Sequence, residues 1–189
     1  MKKNSLLIML FTFALLFFGQ PVLSQSFQEI DKDPMDISYY RESRATKPLI
    51  KVIYGRPQKD NEDVFGNKVT YGKVWRTGAN EATEVKFYQD IVFGGVTVPA
   101  GEYVLYTIPG EKEWEIILSS NLDVLGAFQY DPVFDVARVK AHSAKAEMLE
   151  YFSIAFKEKG DDVQMVLGWD TTRVKIPIAF VNRGQYAKL

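Results

Sequence analysis

The run Trp75-Arg76-Thr77-Gly78-Ala79-Asn80-Glu81 gathers an indole, a guanidinium, a hydroxyl, an amide and a carboxylate around two small residues. Gly78 and Ala79 sit where a backbone must turn or be approached closely. Such a corner suits binding, with Trp75, Arg76, Asn80 and Glu81 as the polar and aromatic contacts. It equally suits a structural role in which Arg76 and Glu81 pair as buried ions, while Asn80 takes the left-handed backbone that asparagine tolerates. Arg56 and Arg138 are the further binding candidates.

Catalytic alternatives are few. A serine-type triad needs a histidine base, and His142 is the one histidine in the chain. In a strand from Asp135 it shares a face with Arg138 and Lys140, while Ala137, Val139 and Ala141 take the other. His142 is therefore expected to point outward among cations. With no cysteine, thiol nucleophiles and zinc sites built from Cys and His drop out. Carboxylates remain: Glu81 with Asp131, Asp135 or Asp170 would make a hydrolase if held roughly 5–10 Å apart. The acidic run Asp60-Asn61-Glu62-Asp63 lacks the glycine and terminal glutamate of an EF-hand and reads as a solvated loop. No metal and no cofactor is expected.

The elements that must position these groups read as strands. Val69, Tyr71, Lys73 and Trp75 alternate into the corner, and Thr83, Val85 and Phe87 alternate out of it, the period of a pleated strand. Ile50 to Tyr54 is a strand stopped by Gly55-Arg56-Pro57. Gly94-Gly95 between two apolar runs marks a hairpin. Tyr103 to Ile108 is apolar on both faces, as a central strand would be, and Trp114 to Leu118 returns from it. An excursion spans Ser119 to Phe134. Asp135 to His142, Tyr151 to Phe156, Val163 to Trp169 and Thr172 to Ile178 follow, with a turn at Trp169-Asp170-Thr171-Thr172. About nine or ten strands with hairpin spacing predict an all-β fold, an antiparallel sandwich or barrel. Trp75, Trp114 and Trp169 are expected in its core, though sugar platforms use the same residue type.

The ends predict an exported protein. Met1-Lys2-Lys3, the apolar run Leu6 to Phe18 and Val22-Leu23-Ser24 form a secretory signal, too short for a lasting membrane span, with cleavage expected after Ser24. Residues 25–48 read as a polar lead-in with a helical turn over Met35 to Tyr40. Residues 49–180 are then the β domain and 181–189 a tail. A formal net charge of −1 over the 189 residues gives no electrostatic footprint for nucleic acid or anionic lipid. The expected location is the periplasm or the exterior.

Arg56-Pro57, the block from Tyr71 to Thr83, Pro99-Ala100-Gly101-Glu102-Tyr103, Ile108-Pro109-Gly110, Asp135-Val136-Ala137-Arg138-Val139 and Trp169-Asp170 resemble the signature blocks of domain-of-unknown-function family 2911. The resemblance covers Leu49 to about Ile178. It supports the boundaries and the choice of the corner, and it implies no particular activity. Three readings follow from the residues. The first is a binding module for a glycan, a peptide or a small molecule. The second is a carboxylate-based hydrolase centred on Glu81. The third is an assembly protein in which the corner is purely structural.

Overall fold

The computed structural model describes residue 27 and residues 29–160 and 162–181. The expected signal over 1–24 and all of the tail beyond Val181 lie outside the described residues. The chain divides into compact units Met1–Ile30 and Asp31–Leu189. In the first, Phe27 and Ile30 are exposed. The second carries the fold.

Its strands are β1 (Met35–Tyr40), β2 (Ile50–Gly55), β3 (Glu84–Phe87), β4 (Ile91–Phe93), β5 (Val96–Val98), β6 (Gly101–Ile108), β7 (Glu113–Ser119), β8 (Asp135–Lys159) and β9 (Asp162–Phe180). They form one sheet in the order β1-β2-β3-β6-β7-β8-β9-β4-β5, and every pairing is antiparallel. The all-β expectation holds.

The sheet doubles over because β8 changes partner. Asp135 to His142 pair with β7, and Ser143 to Lys159 pair with β9. One layer is therefore β1, β2, β3, β6, β7 and the first part of β8. The other is the rest of β8 with β9, β4 and β5. Between them lies a single apolar cluster that draws Ile50, Val52, Phe87 and Ile116 from one layer and Phe152, Met165, Leu167 and Val174 from the other. Burying such side chains, at roughly 1.5–3 kcal/mol each, is the main favourable term for a chain without disulfides.

Alternation explains the strands, and breaks in it explain their bends. Along β9, Val163, Met165, Leu167 and Trp169 are buried, and then Val174, Ile176, Ile178 and Phe180. The parity flips at Asp170, whose φ of 48° is left-handed. The pairing register with β8 shifts close by, on either side of Leu149. A bulge of this kind re-aims the strand without ending it, so the expected turn at Trp169–Thr172 is a bend inside one long strand. At Gly94-Gly95 the expected hairpin is present, with φ of 56° and 97°.

Two local expectations fail. Met35–Tyr40 is a strand and not a helical turn. It pairs with β2 from Met35↔Gly55 to Tyr40↔Ile50, with Met35, Ile37 and Tyr39 outward and Tyr40 in the core. The lead into the corner is not a ladder strand either. It touches the sheet through the isolated bridge Trp75↔Thr107, while Phe65↔Val69 is a bridge within the loop itself.

A second, smaller apolar cluster lies on the outer face of the first layer: Ala82, Val104, Tyr106, Ile117 and Val124. The excursion after β7 packs on it through Val124 and Tyr130, and its two short 3-10 turns, Ala127–Gln129 and Pro132–Phe134, bury no residue.

Candidate functional site

The corner is locked by its own hydrogen bonds. Trp75 N–H donates to the Thr107 carbonyl at 2.7 Å and Thr107 N–H returns one to Trp75 at 3.0 Å. The Thr77 hydroxyl donates to Thr107 Oγ1 at 3.1 Å, and Thr83 Oγ1 donates to the Thr77 carbonyl at 2.7 Å. All three threonines are buried. Thr77 and Asn80 both have a φ of 59°. For a β-branched residue this is a strained conformation, of the sort that surrounding structure must over-determine. Asparagine was expected to take it; threonine was not.

Neighbouring residues then diverge. Trp75 faces the core, where its indole N–H donates to the Gly78 carbonyl at 3.2 Å. Its ring lies 5.0 Å from Phe152 and 5.9 Å from Trp169, centroid to centroid. Arg76 turns to the outer face, where its Cδ would meet a β-carbon on Gly126 at 3.7 Å. The bridge Trp75↔Thr107 puts Arg76 beside Tyr106, Tyr106 pairs with Ile117, and Ile117 with Arg138. Arg76 and Arg138 thus share one face, three strand spacings or about 14 Å apart. In this row Arg76 Nε and the Tyr106 hydroxyl are buried without a partner among the described residues.

The expected Arg76–Glu81 pair does not form. Glu81 is exposed, and no ion pair joins it to Arg76 among the described residues. The reason is geometric. Thr83 N–H closes the loop on the Arg76 carbonyl at 3.1 Å, which leaves Arg76 on the sheet and Glu81 on the loop's exposed tip.

Arg56 is tied rather than free. It donates to Asp36 Oδ2 at 3.1 Å, to the Phe152 carbonyl at 3.1 Å and to Ser153 Oγ at 2.9 Å. Arg138 is likewise engaged, with Glu115, with Asp135 Oδ2 at 2.9 Å and with the Tyr130 hydroxyl at 2.5 Å. Burial, and then the hydrogen bond that Tyr130 donates to Asp135, push the Tyr130 phenol up to about 12. Asn80 is exposed and donates to the Asp33 carbonyl at 3.4 Å.

The candidate acids are dispersed among local tasks. Asp131 accepts from Val133 N–H at 3.0 Å, Asp135 holds Tyr130 and Arg138, and Asp170 pairs with Lys59 at 3.0 Å. His142 points outward as expected, with 85% of its side chain exposed. Among the described residues no group of three or more His, Asp or Glu side chains is placed to hold a metal ion.

Beside the corner a cleft of about 290 Å³ is lined by Trp75, Gly78, Ala79 and Trp169 and by the polar residues Gln58, Asp60 and Lys68, among others. Lys68 pairs with Asp60 at 3.3 Å and donates to the Gln58 carbonyl at 3.2 Å. Of the residues singled out from the sequence, Trp75 and Arg76 contribute to its wall, and Asn80 stands next to it through Asp33. Arg56, Glu81 and Arg138 do not. The sequence reading missed Gln58, Lys68 and the indole of Trp169 as partners of the corner. Asp60, read as part of a solvated loop, is a rim residue. Only Trp169-Asp170, within the resembling blocks, pointed towards them.

Taken together, an antiparallel sheet doubled into two layers, with a strained threonine-glycine corner and a polar-rimmed cleft beside it, defines a class of all-β protein. Residues 37–178, well over half of the chain, match the model of a family described as a protein of unknown function, DUF2911, and the chain belongs to that family. No curated protein and no solved structure matches it.

Proposed function

We propose that the protein is an exported binding module that takes a small polar molecule in the cleft beside the corner. The observation that supports this is the make-up of that cleft. Trp75, Trp169, Gly78 and Ala79 line it together with the polar and charged residues Gln58, Asp60, Lys68, Lys32, Asp33 and Arg76. Polar groups that converge beside aromatic residues are the means by which a ligand site fixes orientation, and about 290 Å³ is at the small end of such sites. The strain at Thr77 and Asn80 supports the same reading, because backbone strain is retained where a site must be held in shape.

The test is calorimetric titration of the mature chain with a panel of monosaccharides, amino acids, short peptides and small organic acids. Saturable binding is expected for one class, weakened about ten-fold by Asp60→Asn, a change of about 1.4 kcal/mol. Asparagine keeps the left-handed backbone that position 60 adopts, with a φ of 55°. No saturable binding at concentrations on the order of 10 mM, about −3 kcal/mol, would sink the proposal.

A further inference from the structure

A second cavity, of about 350 Å³, adjoins the cleft and is lined by Asp31, Lys32, Pro34, Arg56 and Tyr151. Lys32 belongs to both. The same two segments also wall both, with Asp33, Pro57 and Gln58 on the cleft side and Pro34 and Arg56 on the other. These segments are fastened together, since Arg56 N–H donates to the Pro34 carbonyl at 3.0 Å and Gln58 N–H to Asp33 Oδ1 at 3.4 Å. Gln58 in the cleft bridges directly to Tyr151 in the second cavity. Residues so paired stand about 5 Å apart. The two cavities are neighbours, with Lys32 lining both.

We infer that they are two subsites of one groove, and that the groove binds a short, linear, largely neutral oligosaccharide. This rests on the reading of the cleft as a ligand site. Three features select a sugar chain. First, the main chain along the groove is spent. Phe152 N–H donates to the Pro57 carbonyl at 3.0 Å, Lys59 N–H to Glu150 at 2.8 Å, and Arg56 N–H to Pro34. An extended peptide adds to a sheet through unpaired backbone groups, and here those groups are taken. Recognition must come from side chains.

Second, the charges on the groove nearly balance and mix both signs: Lys32, Arg56, Lys68 and Arg76 against Asp31, Asp33 and Asp60. A ligand of high charge of either sign would meet repulsion as well as attraction. A hydroxyl both donates and accepts, so a sugar can serve carboxylate, ammonium and amide along the same path. Third, Tyr151 is 41% exposed and supplies in the second subsite a rigid aromatic face with a polar tip, the amphipathic shape that a pyranose stacks on.

The experiment is titration of the mature chain with monosaccharide, disaccharide and tetrasaccharide members of β-1,4-linked glucose and N-acetylglucosamine series, and of the series that an arrayed glycan panel ranks highest. The tetrasaccharide is expected to bind at least about ten-fold tighter than the monosaccharide. Tyr151→Ala, folded by circular dichroism, should remove most of that gain. Affinity independent of chain length overturns the two-subsite groove and leaves the cleft reading standing. So does a Tyr151→Ala effect equal at every length. Binding of peptides but no saccharide, weakened by Gln58→Ala, overturns the sugar assignment alone. No binding by any class overturns both readings.

Discussion

The α-carbon of Gly55 and the carbonyl oxygen of Ala79 are packed so closely that a β-carbon on Gly55 would stand 2.2 Å from that oxygen. From the other side, a β-carbon on Gly78 would stand 3.0 Å from the Gly55 carbonyl oxygen and from Thr83 Oγ1. The end of β2 and the corner are thus in backbone contact, with no side chain between them. Gly55→Ala should destabilise the fold by about 1–3 kcal/mol, the usual cost of overpacking. Gly78→Ala should cost less, because its nearest contacts would stand at 3.0 Å rather than 2.2 Å. Urea unfolding of the two variants measures the difference, and equal midpoints would refute the contact.

Arg56, just past the end of β2, ties β1 through Asp36 to β8 through Phe152 and Ser153. Arg56→Ala should cost about 2 kcal/mol, since hydrogen bonds from a charged donor are worth roughly 1.5–3 kcal/mol each and this group is partly exposed. Arg56→Lys should recover little, because one ammonium cannot span the fork. Recovery of most of the loss by lysine would show that charge alone matters here.

Glu81→Ala should leave stability within about 0.5 kcal/mol of the wild type, as for other exposed positions. Its effect should add to that of Arg76→Ala in the double variant, because no pair joins them. A coupling energy above about 1 kcal/mol, read from the same unfolding curves, would restore the ion pair.

The Tyr106 hydroxyl has no partner among the described residues and is 0% exposed at the residue level. Removing an unsatisfied buried group relieves its desolvation cost. Tyr106→Phe should therefore be neutral or stabilising, by up to about 1 kcal/mol. A loss of more than 1 kcal/mol in thermal or urea unfolding would reveal a bond that this hydroxyl makes.

Tyr130 titrates at about 12 in the folded chain, above the unperturbed phenol near 10. Its folded pKa is raised, so the unfolded state loses this proton first. The stabilisation is fully present below pH 10 and drains away as pH rises towards 12. Stability curves of the wild type and Tyr130→Phe should run parallel up to pH 10 and converge above it. Parallel curves through pH 12 would contradict the assignment.

What the sequence made legible was period-two patterning in β3, the apolar runs of β2, β6 and β7 between turn residues, and the Gly94-Gly95 hairpin. It misled where parity changes inside one strand. Val163 to Trp169 and Val174 to Phe180 are each perfect alternations, one residue out of phase, and look like two strands until the left-handed Asp170 is seen to join them. β1 escaped because Met35-Asp36-Ile37-Ser38-Tyr39-Tyr40 is an edge strand. Its outward face is the apolar one, an inversion that blurs the signal. At the site, the corner was found because its unusual residues are contiguous. Gln58, Lys68, Tyr151 and Trp169 were not, because long-range pairing brings them there and their local sequence is ordinary. The divergence of Trp75 and Arg76 follows from the same alternation, carried across the corner.

β8 belongs to both layers of the sheet over its 25 residues. Neither layer has a complete set of ladder partners if that strand is lost, so the two cannot melt one after the other. Unfolding of the Asp31–Phe180 body should be a single all-or-none event. Amide protons at the centres of β7 and β9, on opposite layers, should then exchange with the same free energy of opening. A protease cut between Lys145 and Leu149, where the β8–β9 register shifts, would do more than nick a loop. It would divide the one element both layers hold in common, and with it the cooperativity of the whole.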